Sequence, residues 1–103
     1  MRTAITARHC EIPADLRERA AGLMDRLAKL AHRPQKAEII FDDDHQRKVV
    51  ELLLRLPRGQ TRVASAETSD FHTALDRAAE KLKHQLDKHA TRPAAKRKMA
   101  AGG

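Results

Sequence analysis

Residues 48–56, KVVELLLRL, decide the fold, because this one run reads either as a helix or as a strand. Its leucines alone fit both. The run is short and lies between turn signals, and a period of two gathers Val50, Leu52, Leu54 and Leu56 on one side, so strand is the better reading. Upstream, Lys36 to Asp42 (KAEIIFD) alternates in the same way, with Ala37, Ile39 and Phe41 on one face. The polar stretch Asp42 to Gln46 then turns the chain. Downstream, Pro57-Arg58-Gly59 supplies turn chemistry, and Gln60 to Glu67 (QTRVASAE) is a further strand whose small Ala64 and Ala66 allow a helix to approach closely.

Outside this three-strand meander lie two amphipathic helices and one more strand. Arg2 to Ala7 alternates, is rich in β-branched residues and reads as a short first strand. Pro13 marks a helix start, Asp15 and Glu18 suit the positive end of its dipole, and Leu16, Ala20, Leu23, Leu27 and Leu30 recur at spacings of three and four. That helix runs for about five turns until Pro34, which expels its predecessor from the α region. Asp70 is a candidate N-cap for a last helix reaching about His89, in which Phe71, Leu75, Ala78, Leu82 and Leu86 form one apolar stripe. The order is βαβββα. Four strands and two helices, each with one apolar face, make an α+β two-layer sandwich: a four-stranded sheet with both helices packed on one face, as in double-stranded-RNA-binding domains. Residues 1–89 form the single domain, and residues 90–103 read as a basic, disordered tail with almost nothing to bury.

Charge points to the partner. Lysine and arginine number 21 against 14 acids, for a net charge of +7, and Arg92, Lys96, Arg97 and Lys98 of the tail have no acid among them. Such an excess favours polyanions, nucleic acid first, because phosphate contacts release counterions. The opening MRTAIT has no apolar core of a leader, and no stretch approaches the roughly 18 apolar residues that would span a bilayer, so a cytoplasmic protein is expected, with no membrane partner. Cys10 is the lone cysteine and fits a reducing compartment.

On the last helix Arg77, Lys81, His84 and Lys88 keep within about 40° of one direction. Arg19, Arg26, Lys29 and Arg33 repeat the pattern on the first, so helices lying side by side could present one cationic face. Exposed helix faces are ordinarily charged, and Asp76, Glu80 and Asp87 can pair with neighbouring lysines. The net charge tips the reading toward phosphate binding. With no Trp, no Tyr and only Phe41 and Phe71, both on core faces, a base-stacking platform is not expected, which leaves the backbone and shape of folded RNA. No helix-turn-helix or zinc-finger spacing is present.

No catalytic constellation emerges, so the protein is not expected to be an enzyme, and neither cofactor, metal nor small-molecule substrate is expected. His84 and His89 point about 140° apart around a helix, His9-Cys10 has no second pair, Asp42 to His45 reads as a hairpin loop, and Ser65 and Ser69 lie outside any nucleophile motif. Val49 and Leu53, with Ile40 and Val63, fall on the sheet face away from the helices. They are either ordinary surface between Glu38, Glu51 and Arg55 or an interaction patch.

Over residues 2–89 the chain resembles the short ribosome hibernation-promoting factors, the sigma-54 modulation protein family that includes ribosome-associated inhibitor A. Ile5-Thr6, Glu11-Ile12, Leu16-Arg17 and Lys29-Leu30 carry the resemblance early in the chain. The strongest part is Ala64-Ser65-Ala66-Glu67, Asp70 to Asp76, Lys81-Leu82, Gln85-Leu86 and Lys88. The resemblance implies a factor that sits on the small ribosomal subunit, against ribosomal RNA of the channel for messenger and transfer RNA, and so blocks translation in starved or stationary cells. It implies RNA-facing roles for Lys81, Lys83, His84 and Lys88 and for Lys29. His84 departs from the usual arginine or lysine, replacing a permanent charge with a titratable one. With the helix stripes and tail, the expected RNA-binding set is Arg26, Lys29, Arg33, Arg77, Lys81, Lys83, His84, Lys88 and Arg92. Long family members continue into a C-terminal dimerisation domain, which is not expected here. The rival readings are a general double-stranded RNA binder and a protein-interaction module using the outer sheet face.

Overall fold

The computed structural model describes residues 1–90, with side chains through Lys88. Its elements are β1 (Arg2–Arg8), α1 (Ala14–Ala28), β2 (Lys36–Asp44), β3 (Arg47–Arg55), a tight turn at Pro57–Gly59, β4 (Thr61–Thr68) and α2 (Phe71–Ala90), the βαβββα order expected. The four strands lie side by side in sequence order. β1 pairs parallel with β2, which requires the crossover that α1 supplies, and the remaining pairs are antiparallel.

Residues 48–56 are strand, and alternation explains their burial. Val50, Leu52 and Leu54 are fully buried with Ala37, Ile39 and Phe41, to which they stand opposite across the β2–β3 ladder, and Leu56 joins them. Ala64 and Ala66 lie in the same core, where their small side chains let α2 pack against β4. From α2 come Ala74, Leu75, Ala78, Leu82 and Leu86, and from α1 Leu16, Ala20, Met24 and Leu27. Both helices therefore cover one face. Phe41 and Phe71 meet edge to face with centroids 5.4 Å apart, tying the start of α2 to the sheet.

Two boundaries and one core position differ from expectation. Asp42 to Asp44 extend β2 rather than turn the chain, because register sets Asp44 opposite Arg47 and Asp43 opposite Lys48, whose ammonium lies 2.6 Å from Asp43 Oδ2. The turn is only His45-Gln46, with His45 at φ 60°, the positive φ that two-residue hairpins favour. Helix α1 has 15 residues, about four turns rather than five. The Leu30 and Ala31 amides bond back to Leu27 and Ala28 carbonyls, which tightens the helix end, and Leu30 is left 36% exposed. Met24 is fully buried where the stripe named Leu23, which is only half-buried.

Helix α2 starts as expected at Asp70. Its Oδ2 accepts from the Thr73 amide at 2.9 Å and the Thr73 hydroxyl at 3.1 Å. These two bonds hold the Asp70 carboxyl below the usual aspartate range. Two residues earlier in the same turn, buried Thr68 donates to the Asp70 carbonyl and accepts its amide, so its hydroxyl is satisfied.

Candidate nucleic-acid interface

The helix layer carries the cations that the sequence singled out. Arg26, Lys29, Arg33, Arg77, Lys81, Lys83, His84 and Lys88 are all exposed. The helices do lie side by side: Arg19 Nη2 on α1 contacts Asp76 Oδ1 on α2 at 2.6 Å. Between them runs a groove of about 650 Å³ floored by Leu23, Leu27 and Leu30. Arg26, Arg77 and Lys83 line it, together with Asp76 and Glu80. The groove thus joins three of the expected residues around a mixed-charge rim.

Lys81 belongs to the other flank. Two residues separate it from Lys83, which is about 200° of helix, and it turns toward the free edge of β4. Its Nζ donates to the Ser65 carbonyl at 2.9 Å, and one turn later Gln85 Nε2 donates to the Val63 carbonyl at 2.8 Å. Unpaired strand edges invite further strands, and these two side chains occupy two of the outward carbonyls. Lys81 therefore has a structural duty as well as a charge. Lys88, seven residues on, lies on the same flank, with His84 beside it. Lys29 is the residue that caps α1, and Arg33 sits in the α1–β2 connection at φ 54° rather than on the helix. Arg92 and the tail lie outside the described residues.

The sequence reading passed over Arg58 and Arg62, at the β3–β4 turn. They share a cleft with Arg33, and the available signal was a pair of arginines flanking a turn at the same end of the sheet. On the outer sheet face Val63 is 42% exposed and stands opposite half-buried Leu53, while Ile40 stands opposite Glu51. Charged neighbours interrupt that patch. Elsewhere, burial pushes the Cys10 thiol up, away from the thiolate form a nucleophile needs. Among the described residues no three His, Cys, Asp or Glu side chains are grouped to hold a metal, and no helix is long and apolar enough to cross a membrane.

A four-stranded sheet with two helices packed on one face, in the order βαβββα, defines the class as a small α+β two-layer domain. Comparison makes it particular: residues 3–93 match the family described as Sigma 54 modulation protein / S30EA ribosomal protein, and the chain belongs to that family. A Pseudomonas putida protein named ribosome hibernation promoting factor is 30% identical over 89 residues, 86% of this chain and 86% of its own. Among solved structures, a ribosomal subunit interface protein from Coxiella burnetii superposes with a TM-score of 0.72 at 27% identity, covering 89% of this chain and 100% of that one. The N-terminal domain of Protein Y from Thermus thermophilus has the same fold, with a TM-score of 0.72 at 22% identity over 84% of this chain and 94% of that one.

Proposed function

We propose that this protein is a non-enzymatic ribosome hibernation factor of the cytoplasm that binds the small ribosomal subunit and inhibits translation in stationary phase or stress. The observation that carries the reading is the exposed cationic helix layer on the family's fold, with Arg26, Arg77 and Lys83 converging on one groove. Arginine and lysine would neutralise phosphates of ribosomal RNA, and the rigid sandwich of residues 1–89 would exclude messenger and transfer RNA by volume. Lys29, Arg33, His84 and Lys88 would widen the contact, and Arg92 would extend it along the tail. Lys81 would contribute while keeping its hold on β4.

Sedimentation with purified ribosomes tests the reading. Wild type is expected in the ribosomal fractions at moderate salt and released as salt rises. Lys83→Glu/Lys88→Glu is expected to weaken binding by at least about tenfold and to flatten the salt dependence by roughly one unit of slope for each phosphate no longer neutralised. Wild-type protein that stays in the supernatant sinks the proposal. Equal affinity for naked RNA duplex and no competition with transfer RNA would favour a general duplex binder instead.

A further inference from the structure

At the end of the sandwich where both helices finish, a cleft of about 1220 Å³ opens between the α1–β2 connection and the β3–β4 turn. Leu30, Leu56 and Leu86 form its apolar part, and Arg33, Arg58 and Arg62 line it with His32; among the described residues no acid does. We propose that this cleft binds phosphate groups, either the polyphosphate of a free nucleotide or successive phosphates of an RNA strand.

Each arginine is placed there by an independent local cause. Arg33 and Arg58 both have left-handed backbone, at φ 54° and 66°, a conformation that costs an L residue and that glycine adopts freely. Gly59, beside Arg58 at φ 73°, shows that the turn needs such geometry. Arg62 occupies a core-facing position of β4, opposite Leu54 in register, where a hydrophobic residue would be the ordinary choice. Its Nε is fully buried without a partner among the described residues, and its other nitrogens reach only Gln60 Oε1 at 3.4 Å and the Thr61 carbonyl at 3.5 Å. Buried donors are nearly always satisfied, so this guanidinium is incompletely bonded, and its two η-nitrogens, with only these long contacts, are the ones free to turn to a ligand in the cleft. None of the three arginines makes an ion pair among the described residues.

Guanidinium selects the ligand chemistry. Its planar fork matches two oxygens of a phosphate, and three forks around one cleft favour several phosphates over a single carboxylate. The volume exceeds what one inorganic phosphate fills and suits a nucleotide or a backbone segment. With no aromatic side chain besides His32 in the lining, recognition falls on phosphate and not on the base. The proposal shares only Arg33 with the ribosomal reading, and free polyphosphate would bind here whether or not the protein docks on a ribosome.

Amide NMR of the full chain tests it with three probes: sodium tripolyphosphate, ATP and a short RNA duplex. The decisive variant is Arg33→Gly/Arg58→Gly, which removes two guanidiniums where glycine suits the backbone; Lys83→Ala/Lys88→Ala matches its loss of charge on the helix layer. Tripolyphosphate is expected to shift the amides of residues 30–35 and 56–62. The glycine pair is expected to weaken that binding by about tenfold or more, while the lysine pair changes it less than about twofold. ATP binding comparable to that of tripolyphosphate identifies a free polyphosphate group as the ligand, whereas RNA binding to these amides without ATP binding identifies backbone. Arg62→Met, which keeps the aliphatic stem, is expected to fold and to lose affinity. Absence of shifts in these amides with all three probes overturns the proposal, as does equal weakening by both double variants. Loss of ribosome binding in the lysine pair with an intact cleft would leave the two proposals separately decided.

Discussion

The two ends of the sandwich are electrostatic opposites. Where β1, β2 and β4 finish and both helices begin lie Glu11, Asp42, Asp43, Asp44, Glu67 and Asp70. Where both helices finish lie Arg2, Arg33, Lys36, Arg55, Arg58 and Arg62. Each arrangement complements the helix dipoles, whose positive ends meet the acids and whose negative ends meet the arginines. The difference is in pairing. The acidic end pairs two of its six acids with permanent cations, Glu67 with Arg47 and Asp43 with Lys48, while Asp42 lies 3.1 Å from His9 Nδ1. None of the six cations at the basic end makes an ion pair among the described residues. One end pairs part of its charge within the fold; the other leaves its cations unpaired among the described residues.

The largest effect should come from the structural end. Phe41 is fully buried and packs edge to face on Phe71, so Phe41→Ala removes an aromatic core residue and the ring contact together. A loss of about 3–5 kcal/mol is expected, measured by urea unfolding. Arg62→Met at the other end is expected to raise stability by about 1 kcal/mol, because it removes an orphaned donor and keeps the stem's packing. A drop of comparable size would mean that Arg62 holds the fold together, and the contrast between the ends would fail.

Most of the fold was legible because its decisive signals are local. Alternation in Val50, Leu52 and Leu54, the apolar stripe of α2 and the Asp70 cap each depend on neighbours within one element. The misreadings have tertiary causes. Asp42 to Asp44 have the composition of a turn and become strand only because Arg47 and Lys48 stand opposite them. Leu30 continues a helical stripe in a chain that has already left the helix at Ala28. The site divides in the same way: exposed helix cations could be named from spacing, but Lys81's bond to Ser65 needs the sheet edge in place. The arginine cleft joins residue 33 to residues 58 and 62, and no short-range pattern connects them.

Acidification separates the ends next. The bonds from Thr73 depress the Asp70 carboxyl, so its contribution is complete above the unfolded aspartate value, about pH 4, and is lost as pH falls through the lower folded value. Asp70→Asn keeps a capping side chain without the charge. Wild type should therefore be the more stable of the two near neutrality, with the gap closing below about pH 4. Unfolding midpoints across that range check it, and a gap independent of pH would refute the charged cap.

The smallest expected effect is the sharpest probe of what internal pairing is for. Arg47 Nε lies 2.9 Å from Glu67 Oε2, but both side chains are about half exposed, at 53% and 52%, so water and salt screen the attraction. Glu67→Gln also leaves Arg47 its bond to the residue 67 carbonyl at 3.2 Å, and the new amide oxygen can still accept. A loss of about 0.5 kcal/mol or less is expected, vanishing in high salt. That small value is consistent with pairing that offsets local charge more than it stabilises the fold. The variant should accordingly bind ribosomes as wild type does, because the substitution lies on the sheet and leaves every cation of the helix layer in place. A loss above about 1 kcal/mol would instead make the ion pairs part of what holds β3 and β4 in register.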